Sequence, residues 1–138
     1  MNEQDRTQLS DAMRWALDSA ADPSMASADW LAMDIDPSRR SAVALLTDAH
    51  VSLSQLRKAK SVYKTMRLVG ETAADRRLGA RLYTAAIAAA LVRHGRRISR
   101  QSDAALRRAF RSVMDDESVP QDLREMADKA LFVLDEMP

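Results

Sequence analysis

Residues 72–95 read TAADRRLGARLYTAAIAAALVRHG, and this sequence gives the strongest indication of an all-helical fold. Thr72, followed by Asp75, is typical of a helix N-terminus, and Gly95 is typical of the residue just after a helix. Between them the middle of the stretch is apolar nearly all round, which predicts a central, buried helix ending at His94. Gly79, Ala86 and Ala90 are small residues on one side of this helix, which would let a neighbouring backbone approach closely.

The preceding region predicts one long helix. Asp36-Pro37-Ser38 is a helix-start signal, and apolar residues recur every three or four positions from Val43 to Val69, before Gly70. An unbroken helix over residues 38–69 would be about 48 Å long. A break near Ser52 is the alternative, since Ser52 and Gln55 have the spacing of a capping box.

The rest of the chain also has helical patterns. Ser102 predicts the start of one helix, and Pro120 opens another. The chain has only three glycines and four prolines among 138 residues, a composition that favours helices over turns and strands. We therefore predict an all-α fold, an antiparallel bundle of four to six helices with one long helix. Residues 37–138 would form the bundle core, and residues 1–36 short acidic helices with some disorder.

Charge is strongly partitioned along the chain, although its formal net value is only +1. Basic against acidic residues number two to eight over residues 1–36, seven to three over 37–75, ten to one over 76–111, and two to eight over 112–138. One interpretation is that acidic outer helices pack beside basic inner ones, within one chain or between two copies. The other is a nucleic-acid interface, in which phosphates contact ten arginines. These are Arg76, Arg77, Arg81, Arg93, Arg96, Arg97, Arg100, Arg107, Arg108 and Arg111.

Catalytic chemistry is sparse, and we predict no catalytic residue, cofactor or metal site. The chain has no cysteine, and its two histidines lie on different predicted helices. We interpret His50 as a histidine at the edge of the core and His94 as a cation at a helix end. The acidic runs at residues 34–36 and 115–117 are interpreted as solvated helix ends. An enzyme would need a pocket uniting distant groups, namely Asp48, His50 and Tyr63.

Protein–protein association is therefore the leading functional hypothesis, and nucleic-acid binding is the alternative. A partner interface is suggested by large apolar residues crowded near the N-terminus, because such residues anchor interfaces. They are Met13, Trp15, Met25, Trp30 and Met33. An unbroken helix 38–69 would overhang a compact bundle, which favours a homodimer, although another protein could also be the partner.

The cellular location follows from what the sequence lacks. The longest apolar run, residues 85–92, is too short to cross a membrane, and the N-terminus lacks the basic and apolar regions of a signal peptide. Since there are no cysteines for disulfides either, we expect a cytoplasmic protein with no membrane contact.

Overall fold

The computed structural model describes residues 42–70 and 72–137, and all regular secondary structure in these ranges is helical. The predicted all-α bundle is thus confirmed. Its five helices are α1 (Ala42–Thr47), α2 (Leu53–Val69), α3 (Ala73–His94), α4 (Asp103–Met114) and α5 (Gln121–Glu136).

Helix α3 is the centre of the bundle, as its sequence predicts. It packs against each of the other four helices, and the run from Thr84 to Leu91 is buried without interruption. The Thr72 hydroxyl accepts a 3.0 Å hydrogen bond from the Asp75 backbone N–H. At the other end Gly95 adopts a left-handed conformation with φ 61°, and its N–H donates to the Leu91 carbonyl at 2.9 Å. Local capping therefore sets both ends of the central helix.

Helix α2 runs antiparallel to α3 and packs closely on it. A Cβ atom placed on Gly79 of α3 would lie 2.6 Å from the Arg67 backbone nitrogen and 2.8 Å from the Met66 Cβ. The glycine predicted to allow a close backbone approach does so at the C-terminal end of α2. The guanidinium of Arg67 also lies over the ring of Tyr83, 5.1 Å from its centroid, which adds a cation–π contact between the helices.

Helices α4 and α5 pack on each other and on α3. The Ser102 hydroxyl caps α4 by accepting from the Ala105 N–H at 3.2 Å, and α5 begins immediately after Pro120. Arg81, near the start of α3, pairs with Asp116, which lies just after α4. At the other end Val92 of α3 lies beside Phe132 of α5. Helix α4 is therefore antiparallel to α3, and α5 runs in the same direction as α3.

The prediction of one unbroken helix over residues 38–69 is wrong. Helix α1 ends at Thr47, and α2 begins at Leu53. The capping box named as the alternative is present, because Ser52 Oγ accepts from the Gln55 N–H at 3.1 Å and Gln55 Oε1 accepts from the Ser52 N–H at 2.9 Å. The long helix of the bundle is instead α3, with 22 residues. An overhanging helix that needs a second chain to cover it is therefore not a property of the described part of this fold.

Among the described residues, no helix combines the length and the apolar character needed to cross a membrane.

Candidate functional site

The structure gives five of the ten arginines an acceptor within the described part of the chain. Three of them pair with aspartates, namely Arg81 with Asp116, Arg97 with Asp103, and Arg107 with Asp135. Two of these aspartates belong to the acidic C-terminal block. Opposite charges thus meet across the bundle surface within one chain at Arg81 and Arg107, as the first charge interpretation predicts. Exposed pairs of this kind each contribute little stability.

The other two arginines with an acceptor serve the ends of helices. Arg76 donates to the Gly70 carbonyl at 2.7 Å, and Arg93 donates to the Thr47 carbonyl at 3.3 Å. Both carbonyls lie where a helix ends, so their intrahelical partners are missing. These side chains therefore have a local structural role.

The remaining five arginines are exposed, and the structure does not bring them to one patch. Arg77 lies near the start of α3, whereas Arg96 and Arg100 follow its end. Arg77 is separated from the end of α3 by about 26 Å along the helix axis. Arg108 and Arg111 lie on α4, in its middle and near its C-terminal end. A phosphate backbone would therefore meet two or three of these cations at a time.

The two histidines lie in different surroundings, and His50 is not where its sequence pattern predicts. His50 is exposed in the turn between α1 and α2, where its N–H donates to Asp48 Oδ1 at 2.8 Å. Its interpretation as a histidine at the core edge is wrong, because the helix that would have turned it inward ends at Thr47. His94 is the last residue of α3, and its Nε2 lies 2.8 Å from the Val51 carbonyl oxygen. That contact ties the end of α3 to the start of α2.

The residues considered for an enzyme pocket differ in their surroundings. Tyr63 is fully buried in α2, ten residues after Leu53, whereas His50 is exposed in the preceding turn. Tyr63 lies about 15 Å along the helix axis from Leu53, the first residue after the turn that contains His50. Among the described residues, no three or more His, Asp or Glu side chains lie together in a way that could hold a metal ion. The run at residues 34–36 lies outside them.

Asp116 is the best-connected carboxylate of the acidic run after α4. One of its oxygens accepts hydrogen bonds from the Ser118 hydroxyl at 2.6 Å and from the Ser118 N–H at 3.0 Å, and the other accepts from Arg81. The Ser118 hydroxyl and then Arg81 lower the pKa of Asp116, against the opposing effect of its partial burial. This carboxylate is therefore a structural link between the turn and α3.

Lys60 was not singled out by its sequence pattern, yet it joins two elements. Its ammonium group donates to the Ile98 carbonyl in the segment after α3. Partial burial lowers the pKa of Lys60, with smaller contributions from the like charges of Lys64 and Arg57. With a backbone carbonyl as its partner, Lys60 holds the α3–α4 connection against α2.

An apolar groove lies on the surface between α3 and α5. Val92 of α3 and Phe132 and Val133 of α5 line it, with Asp128 and Lys129 at its edge, and its volume is about 480 Å³. Phe132 is 69% exposed. We call these five residues the Phe132 groove.

Sequence reasoning did not identify Phe132, although a signal was present. Phe132 lies off the core stripe of α5, whose buried residues are Leu123, Met126, Ala127, Ala130 and Leu134. Leu68 is similarly placed on α2 and is 64% exposed. Whether an apolar residue off the core stripe is exposed depends on where the neighbouring helices pack, which the sequence pattern does not give. Leu68 and Phe132 belong to helices without extensive mutual contact, so they form separate patches.

The N-terminal residues predicted to form a partner interface, Met13, Trp15, Met25, Trp30 and Met33, lie outside the described residues, as does the predicted boundary at residue 36. No protein-family model, curated protein or solved structure matches this chain.

Proposed function

We propose that this protein is a non-enzymatic helical bundle that acts through protein–protein association, and that two copies associate through the Phe132 groove. The observation that carries the proposal is a phenylalanine that is 69% exposed at the edge of an apolar groove. Burying a side chain of this kind contributes about 2 kcal/mol, and aromatic residues are enriched at protein interfaces.

Self-association suits this surface because Phe132 and the groove lie together. A two-fold axis beside α5 would place Phe132 of each copy against the groove of the other, as an isologous interface requires. The groove has only Asp128 and Lys129 as charged groups, and these two opposite charges would face each other across such an axis. Proteins of oxidising compartments often contain disulfides, and this chain has no cysteine to form one. We therefore propose that the association takes place in the cytoplasm.

The arginines favour this function over nucleic-acid binding. Five of the ten donate to acceptors of the chain, and the other five lie at both ends of α3 and on α4. Nucleic-acid binding normally draws on a continuous basic surface. The partition of charge along the chain is better explained by contacts between protein segments.

Light scattering of the full chain over a range of concentrations tests the proposal. We expect the mass to rise toward that of a dimer, and we expect Phe132→Ser to weaken the dimer about 1000-fold, because two side chains of about 2 kcal/mol each are lost. Leu68→Ser is the matched control, since it removes an equally exposed apolar side chain from a different helix.

Two outcomes would contradict the proposal. One is a monomeric mass at every concentration. The other is a dimer that Leu68→Ser and Phe132→Ser weaken equally, which would mean that the Phe132 groove is not the interface.

A further inference from the structure

The outward face of α2 is positively charged and has no acidic residue. Helix α2 contains five basic residues, and residues 49–70 as a whole contain no aspartate or glutamate. Arg57, Lys58 and Lys64 are exposed, and no ion pair of the described residues involves α2. This surface is separate from the ten arginines of residues 76–111, which belong to α3, α4 and the connection between them.

The cations of α2 are close enough to repel one another. Lys60 lies beside the exposed ones and donates to the backbone carbonyl of Ile98, which is a neutral partner. Partial burial lowers the pKa of Lys60 most, and the like charges of Lys64 and Arg57 lower it further. The described part of the fold thus holds these cations together without a carboxylate to offset them. A negatively charged partner would relieve the repulsion.

The exposed positions of α2 have the spacing of a helix-packing seam. They recur at alternating steps of three and four residues and form one stripe about 21 Å long, which consists of Ser54, Arg57, Ser61, Lys64 and Leu68. We call these five residues the α2 stripe. Its two serines are small and leave room for a neighbouring helix, and Leu68, which is 64% exposed, gives the stripe an apolar end.

Leu68 distinguishes among the anionic partners that a row of cations could attract. A nucleic-acid backbone binds cations through its phosphates and would leave Leu68 in water. An amphipathic helix that lies on a membrane needs a broad apolar face, but Leu68 is the only apolar member of the α2 stripe. A protein helix can present carboxylates on successive turns and an apolar side chain on the next turn.

We infer that the α2 stripe binds an acidic helix of another protein, with carboxylates facing Arg57 and Lys64 and an apolar side chain against Leu68. This inference goes beyond the proposed self-association, because α2 and α5 have no extensive mutual contact and the Phe132 groove is left free. The protein would then bind a second copy of itself through one face and an acidic partner through another.

A synthetic helical peptide labelled with fluorescein is the probe. It has glutamates at the heptad a and d positions that face the α2 stripe and one leucine at the end. We expect the full chain to bind it, and we expect Arg57→Glu combined with Lys64→Glu to weaken binding about tenfold, because two attractions become repulsions. Arg108→Glu combined with Arg111→Glu is the matched control, since it changes the net charge equally at two exposed arginines of α4.

A second pair of variants separates a partner helix from other anions and from the Phe132 groove. Leu68→Ser should weaken peptide binding about tenfold and leave any binding of a fluorescent DNA duplex unchanged, because only the helix contacts the leucine. Phe132→Ser should leave peptide binding unchanged, since Phe132 lies on a different helix. Circular dichroism of each variant checks that the helices remain intact.

Three results would overturn the inference. The first is that the peptide does not bind, or that the charge reversals on α2 and α4 weaken its binding equally. The second is that the DNA duplex, or a vesicle of phosphatidylserine, binds more tightly than the peptide. The third is that the charge reversal on α2 weakens the dimer in light scattering, because the occupant of the α2 stripe would then be a second copy.

Discussion

Asp116 connects a turn to the central helix through a single carboxylate. Oδ1 accepts the hydrogen bonds from Ser118, and Oδ2 accepts the hydrogen bond from Arg81. Asp116 can therefore hold the turn and form the ion pair at the same time. Hydrogen bonding to the charged form lowers the pKa of a carboxyl group, and a neighbouring cation acts in the same direction. Both effects operate here, with the Ser118 hydroxyl the larger. The residue thus links local turn structure to the packing of α3.

This link predicts how stability depends on pH. Because folding lowers the pKa of Asp116 below its ordinary value of 3.8, its contribution is present above that value and is lost as the pH falls toward the folded pKa. Asp116→Asn should therefore reduce stability at neutral pH and reduce it much less in strong acid. Urea unfolding at both pH values measures the difference. Glu117→Gln, an exposed carboxylate in the same turn, should change stability similarly little at both.

The pairing of α2 with α3 shows how one small residue sets the distance between two helices. Gly79 faces backbone atoms of Arg67 and Met66, which cannot rotate away as a flexible side chain would. The interface also includes the Arg67–Tyr83 contact and buried residues from both helices. Close packing of this kind makes the interface sensitive to a single added methyl group.

We expect Gly79→Ala to destabilise the protein by about 2 kcal/mol. Overpacking typically costs about 1–3 kcal/mol, and the upper end applies here because the added methyl group would meet backbone atoms; the higher helix propensity of alanine returns about 1 kcal/mol. Thermal or urea unfolding measures the change. Ala74→Ser, at an exposed position in the same helix, should stay within about 0.5 kcal/mol of the wild type. Undiminished stability of Gly79→Ala would show that α2 can move outward freely.

The arginines of residues 76–111 are spread over the molecule, at both ends of α3 and along α4. The connections reverse the chain after α2, α3 and α4, so arginines that are close in sequence are divided between the two ends of the bundle. Those on the side facing the C-terminal block meet aspartates, and others remain exposed. Sequence clustering of charge therefore does not translate into a single basic face in the described part of the fold.

This distribution predicts weak, shallow salt dependence for any nucleic-acid binding. At most four exposed arginines lie together, at the C-terminal end of α3, so the slope of log affinity against log salt should be no steeper than about −4, since each phosphate contact contributes about −0.9. Titration of a fluorescent DNA duplex at several salt concentrations measures it. Engagement of all ten arginines would give about −9, and a slope approaching that value would restore the nucleic-acid hypothesis.

The fold class and most helix ends could be predicted from local sequence, because capping depends on residues three or four positions apart. Thr72, Gly95 and Ser102 mark their helix ends through such contacts. Apolar periodicity could not decide whether residues 38–69 form one helix, because the spacing continues through the turn that the Ser52 capping box terminates. The misplacement of His50 followed from the same ambiguity.

Which side chains are available at the surface depends on how the helices pack, and local sequence does not show this. Phe132 and Leu68 lie off the core stripes of their helices, but an off-stripe residue is exposed only if no further helix covers it, and that depends on the order in which the helices pack. The same holds for the arginines, since Arg107 and Asp135 pair across 28 positions of sequence and Arg81 and Asp116 across 35. Local pattern sets the helices, whereas long-range packing decides which of their faces remain free to bind.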